Sequence, residues 1–249
     1  MYEQITAHMK TLGYKEHWIG YTLGWVYELH QNGVHCLGRF IRKLLATRDK
    51  ISCSNIITEG RFAIILARNN FSDIQLEYTE KGPDIKAAWN RDTVYFEVTR
   101  RLPDVDEWAD GFDINKLSRD RTENIISKIE GKLRQLQSGE VNIVVIWSDT
   151  VRLSLPDVAE AFKYIQQEIY HNPGIYKDLS GVLLTEGGGV SSSTLKQFYL
   201  FRNDKASKPL GTRLAQKLES LHEKDPKKLQ KEFEAIAKAL RQYRNKGDR

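Results

Sequence analysis

The chain has only two cysteines in 249 residues. Cys36 and Cys53 stand apart and in no Cys-x-x-Cys spacing, which argues against a disulfide framework or a cysteine zinc site and implies a reduced, cytoplasmic setting. Long apolar runs are also missing. The longest, such as Val141–Trp147, are far short of the ~20 residues a membrane span needs, so no membrane partner is expected. Met1–Lys10 has no basic stretch followed by an apolar one, and no signal peptide is expected. No internal repeat is visible. Gly187–Gly189 is not followed by Gly-Lys-Ser/Thr, so this Gly-rich stretch is a flexible loop and not a phosphate-binding P-loop.

What remains is an ordinary globular composition, 40% hydrophobic and 29% charged. A chain of this length buries roughly 70–75% of its unfolded surface and needs no staple. Its net charge of +5 is unevenly spread. Residues 205–249 hold thirteen Lys/Arg against six Asp/Glu, whereas residues 1–204 hold 25 against 27. The body is nearly neutral and the tail is basic.

Apolar periodicity predicts helices over 15–31, 37–45 and from Ser54-Asn55 to about Arg68. Strands follow at 74–78, 84–88 and 93–99, then a helix over 121–137 and a continuous apolar strand at 141–147. A helix from 155 to about 169, strands at 181–185 and 197–202, and charged helices from Pro209 complete the order. Strands with helices between and before them imply a mixed α/β sheet covered on both faces.

The hairpin at 82–101 carries the most chemical information. Asn90-Arg91 is its natural turn centre, so facing residues sum to 181: Asp84 opposes Glu97, and Lys86 opposes Tyr95, diagonal to Glu97. Ile85, Ala87, Val94, Phe96 and Val98 then share one apolar face, and a one-residue slip would mix the two sets. Two opposed carboxylates repel by up to ~1 kcal/mol on a sheet face, so something must compensate. Either Mg²⁺ does so, since it takes one or two carboxylates and keeps waters for a phosphate, or the face is wet and Lys86 neutralises the pair.

Pro83-Asp84, followed by a hairpin into Glu97-Val98-Thr99, resembles the PD-(D/E)XK nuclease superfamily. The resemblance extends to element order over 54–202, with an early acid, Glu59, on the first core helix. It implies a restriction-endonuclease-like mixed sheet flanked by helices, here with a helical N-terminal segment (1–53), the core (54–204) and a basic helical extension (205–249). It further implies Mg²⁺, with Mn²⁺ as a substitute, held by Asp84, Glu97 and the Val98 carbonyl with Glu59 nearby, and hydrolysis of DNA phosphodiesters by a metal-activated water. The chain departs from the pattern at Thr99, where the family has a lysine. Lys86 is the first replacement expected, acting with Asp84 and Glu97 in catalysis. Lys128 and Lys132 come next, because the family sometimes moves this lysine to the following helix. Arg101, whose planar guanidinium suits phosphate clamping, joins Lys128 and Lys132 in binding nucleic acid.

In the tail, Lys227, Lys228 and Lys231 either contact phosphates or form the solvated face of a docked helix. A double-strand break needs two sites and one chain offers one, so a homodimer would supply the second. Two rival readings stand beside the nuclease: a catalytically degenerate nucleic-acid-binding or structural module of the same fold, and an interaction protein whose carboxylate face is incidental. His30, His35 and Cys36 lack a zinc spacing and read as turn and helix residues. Trp18, Tyr21 and Trp25 read as core or a helix-packing seam rather than base-stacking residues.

Overall fold

Ile5 and Met9, one helical turn apart and fully buried, anchor α1 (Tyr2–Thr11), a helix that the sequence pattern had not disclosed. α2 (Glu16–Gln31) and α3 (Leu37–Leu45) follow where periodicity places them. α4 (Lys50–Arg68) starts earlier than Ser54 because Asp49 is the stronger cap. Its carboxylate accepts the Ser52 amide hydrogen at 2.8 Å and the Ser52 hydroxyl at 2.7 Å. The computed structural model describes residues 1–77, 82–101, 114–148, 155–185 and 198–221.

Six strands form one sheet in chain order: β1 (Ser72–Leu76), β2 (Ile85–Trp89), β3 (Asp92–Arg101), β4 (Val141–Ser148), β5 (Gly181–Thr185) and β6 (Phe198–Arg202). β1, β2 and β3 are antiparallel neighbours, β3, β4 and β5 are parallel, and β6 returns antiparallel to β5. The parallel pairs are joined through α5 (Ile114–Lys132), which ends in a 3₁₀ turn at Leu133–Gln135, and α6 (Leu155–His171). A short α7 (Thr212–Glu219) closes the described chain. The mixed α/β sheet with helical extensions is therefore what the sequence pattern predicted. Lys227, Lys228 and Lys231 lie outside the described residues.

Alternation sorts the core into two layers. Phe96, Val98, Ile143, Val145 and Trp147 pack with α1–α4 and α7, whereas Val144, Ile146, Val182 and Leu184 pack with Ile125 and Ile129 of α5 and Val158, Ala161 and Ile165 of α6. Phe62 of α4 meets Phe96 edge-on at 5.3 Å between ring centroids. The hairpin register also matches the sequence pattern. Ile85 pairs with Phe96 and Lys86 with Tyr95 around a turn in which Asn90 takes φ +56°, a conformation that asparagine tolerates.

The α2–α3 connection seals the outer edge of β1. The His35 amide donates to the Ile74 carbonyl at 2.8 Å, and the Leu76 amide donates back to His35 at 3.2 Å, covering an edge that would otherwise invite pairing. Among the described residues, no helix is long and apolar enough to cross a membrane.

Candidate active site

The register that sets Asp84 opposite Glu97 continues into β1. Gln75 pairs with Lys86 and Leu76 with Ile85, so Glu77 falls opposite Asp84, where its amide donates to the Asp84 carbonyl at 2.8 Å. Three carboxylates, Glu77, Asp84 and Glu97, thus form a row across three adjacent strands. Glu77 adopts φ +52°, a left-handed backbone costing a non-glycine residue about 1 kcal/mol. A fourth carboxylate, Glu59, comes from α4, one turn before the Phe62–Ala63 pair that packs on the sheet.

Each carboxylate is held by a specific partner. The Val98 amide donates to Asp84 Oδ2 at 2.8 Å. Lys132 Nζ lies 2.9 Å from Glu97 Oε2 and 3.5 Å from Asp84 Oδ2. Lys43 Nζ, from α3, lies 3.0 Å from Glu59 Oε2, 2.5 Å from Glu77 Oε1 and 3.8 Å from Asp84 Oδ1. Lys132 can reach the site because it continues the buried face of α5. Ile125, Ile129 and Lys132 fall at i, i+4 and i+7, which brings the last turn of the helix over β3 and β4. Lys43 follows Phe40 and Ile41 on α3. That helix is drawn close to α4 because Gly60 has no side chain where the Phe40 ring packs.

Glu97, Glu59 and Asp84 are 1%, 6% and 8% exposed. Burial pushes the Glu97 carboxyl up to about 8, and the neighbouring Asp84 charge adds to this against the opposing pull of Lys132. Burial likewise raises Glu59 well above the carboxylate range, with Asp84 adding to it and Lys43 opposing. Burial works against the charge on Lys43 and Lys132. The surrounding carboxylates outweigh it, chiefly Glu59 and Asp84 for Lys43 and Asp84 and Glu97 for Lys132, so both ammonium groups titrate above their ordinary value.

With every group ionised, four carboxylates face two ammonium groups. The donor set fits a divalent cation on two observations. One oxygen each from Glu59, Glu77 and Asp84 lie within 4.8 Å of one another. Glu97 Oε1 is buried and has no hydrogen-bond partner among the described residues. An acceptor so placed is costly unless something positive or a donor meets it.

The residues singled out in the sequence are therefore distributed unevenly. Glu59, Asp84, Glu97 and Lys132 come together, with Val98 joining through its amide. Lys86 instead lines a recess with Arg91, Asp92, Tyr95, Glu140 and Lys208. Lys128 is half-buried on α5 one turn before Lys132. Arg101 ends β3, and its side chain lies outside the described residues. Lys43 and Glu77 escaped sequence reasoning. Glu77 was within reach of it, because 77 and 84 share the index sum 161 of the β1–β2 pairing, but the long 77–84 connection offers no tight turn from which to read that sum. No sequence signal distinguishes Lys43 from Arg39 or Arg42. No family model, curated protein or solved structure matches the chain.

Proposed function

We propose that the protein is a metal-dependent nuclease that hydrolyses phosphodiester bonds in DNA. One observation carries this reading: the Lys132 ammonium meets both Glu97 and Asp84 beside an unpartnered carboxylate oxygen, Glu97 Oε1. This cation, on the helix after the hairpin, would take the role that Thr99 leaves unfilled on the strand. The order α4-β1-β2-β3-α5-β4, with acids on α4, at the start of β2 and on β3, supports the same reading.

Asp84, Glu97, Glu59 and Glu77 would hold Mg²⁺ or Mn²⁺, with the Val98 carbonyl as a further donor. Bound there, the ion supplies an activated water and positive charge for the phosphate. The chain's own groups do the rest. Val98 fixes one oxygen of Asp84 and so limits which oxygen is free to serve as a ligand. Lys132 holds Glu97 in place and offers its ammonium to a phosphate oxygen, where charge-assisted hydrogen bonds are roughly twice as strong as neutral ones. Buried strands beneath the row keep bulk water from that side of the site.

A second reading, a module of this fold that binds nucleic acid without cutting it, draws support from Lys43. Its ammonium already lies among Glu59, Glu77 and Asp84, where it can stand in for a cation. Incubation of plasmid, linear and branched DNA with Mg²⁺ or Mn²⁺ separates the two. Metal-dependent products that vanish in Asp84→Asn and Glu97→Gln support the nuclease. Salt-sensitive binding with no product supports the module, and activity surviving both substitutions removes this site from consideration.

A further inference from the structure

A second concavity opens among α1, α2, α4 and the end of β3. It is a recess of about 210 Å³ whose walls include Tyr14, Trp18 and Trp25 as well as Lys50, Arg61 and Arg100. Its chemistry is the reverse of the carboxylate site's. Among the described residues that line it are three cations and no carboxylate, and its apolar walls include the rings of Tyr14, Trp18 and Trp25. An occupant matched to such walls is planar, aromatic and anionic.

The rings form a ladder along α2. Trp18 meets Tyr21 edge-on at 6.0 Å, Tyr21 stacks on Trp25 at 6.3 Å, and the Arg61 guanidinium lies between Trp25 at 5.4 Å and Trp147 at 4.9 Å. The inner end of the ladder is anchored in the core by Trp147, which is fully buried. Its outer end is not, since Trp18 is 37% exposed at the recess. The α2 aromatics, which the sequence suggests are a packing seam, therefore divide into an inner packed part and an open outer ring.

Position links the recess to the carboxylates. Thr58 lines it, and the next residue on α4 is Glu59. Arg100 lies three residues beyond Glu97 on β3, roughly 10 Å along the strand, so by alternation it faces the α1–α4 layer while Glu97 faces the α5 side. A nucleic-acid backbone that leaves the carboxylates over the C-terminal end of β3 would bring a nearby nucleotide to the recess. The volume limits what enters. Pockets for drug-sized ligands run about 300–1,000 Å³, so this one suits a single ring system.

We infer that the recess is a nucleobase pocket. It receives one unstacked base from a single-stranded stretch of the nucleic acid, stacked against Trp18, with the attached phosphate met by Arg100 and Lys50. The inference rests on the nuclease reading for the path of the backbone, while the pocket's preference for a planar anion stands on its own lining. The protein would then favour junctions, flaps or other DNA with an unpaired nucleotide near the cut, because a paired base must first leave its stack.

The test uses the full chain without divalent metal, so that binding is read apart from cutting. A fluorescent ten-nucleotide single strand is titrated by anisotropy against wild type, Trp18→Ala, Trp18→Phe and Arg100→Gln. Expected are a ~5- to 100-fold loss in Trp18→Ala, recovery of most of it in Trp18→Phe, and a loss in Arg100→Gln that shrinks as salt rises. Wild type should also bind a strand lacking all its bases at least ~5-fold more weakly than an intact one, a comparison that needs no variant to fold. Equal affinity for the two strands, or a Trp18→Ala affinity within twofold of wild type, overturns the pocket. The nuclease reading fails separately, by absence of any metal-dependent product from wild type whose base-dependent binding persists.

Discussion

Asp84 accepts the Val98 amide hydrogen through Oδ2 at 2.8 Å, an oxygen that also lies 3.5 Å from Lys132, while its Oδ1 lies 3.8 Å from Lys43. One carboxylate thus has a separate partner set for each oxygen, and its plane is fixed by the strand beside it. Asp84→Asn keeps the shape but halves the acceptor capacity and removes the charge. Metal-dependent cleavage is expected to fall at least ~100-fold while the fold is retained, as checked by circular dichroism alongside product formation.

The lysine question has a direct answer in kinetics. Lys132→Ala is expected to lower kcat by ~10²- to 10³-fold, an effect of the size seen when a group that stabilises developing charge is removed. Lys86→Ala, which alters a different recess, is expected to leave kcat within about twofold. The reverse pattern in a steady-state comparison would return the role to the strand.

Glu97 gives the site a pH signature. Its carboxyl titrates at about 8 in the fold, far above the ordinary 4.5, so the unfolded chain loses this proton first as pH rises. The stability it confers is fully present below pH ~4.5 and is lost as pH climbs through about 8. In EDTA the melting temperature is expected to decline between pH 5 and 9, and Glu97→Gln is expected to flatten that decline. Mg²⁺ should reverse it, because the ion favours the ionised form. Its affinity, read by calorimetry, should therefore strengthen up to about pH 8 and level off above.

Lys43 competes with any metal for Glu59 and Glu77. Lys43→Met is expected to destabilise the metal-free protein by ~1–3 kcal/mol, since it takes a cation from buried Glu59, in a pair that the 37% exposure of Lys43 screens. Added Mn²⁺ should restore much of that stability, and its affinity should exceed wild type's. Thermal melts with and without the ion give both numbers. A variant that is destabilised and gains nothing from the metal would favour the non-cutting module.

Gly60 tests the scaffold rather than the chemistry. A Cβ there would sit 2.7 Å from Cζ of the buried Phe40 ring, so Gly60→Ala must displace that ring or the α3 backbone that carries it. A loss of ~1–3 kcal/mol in urea unfolding is expected, as for other overpacked cores, with metal affinity raised because any retreat of α3 withdraws Lys43 from Glu59 and Glu77. Phe40→Leu in the same chain is expected to reverse part of both.

The ease of reading this chain followed the range of its interactions. The Asn90-Arg91 hairpin was legible because its register follows from a two-residue turn and strict alternation, both local in sequence. The facing of Asp84 and Glu97 is legible for the same reason. Glu77 needed the register across a longer connection, and Lys43 needed the packing of α3 on α4, which hinges on Gly60 and Phe40. In the sequence the diagonal position of Lys86 ranks ahead of Lys132. Side-chain direction on a strand does not reveal which helix will close over it. α1 was overlooked because only two of its ten residues, Ile5 and Met9, are buried.

Lys43 belongs to the helical layer on one side of the sheet and Lys132 to the layer on the other, and both end on the same row of acids. The row therefore acts as a latch between layers on opposite faces of the sheet. Loosening α5 from β4 would release Lys132 and leave the acids facing Lys43 alone, raising both their mutual repulsion and their pull on α3. A displacement in either hydrophobic layer that moves one of these lysines therefore changes the charge balance at the row.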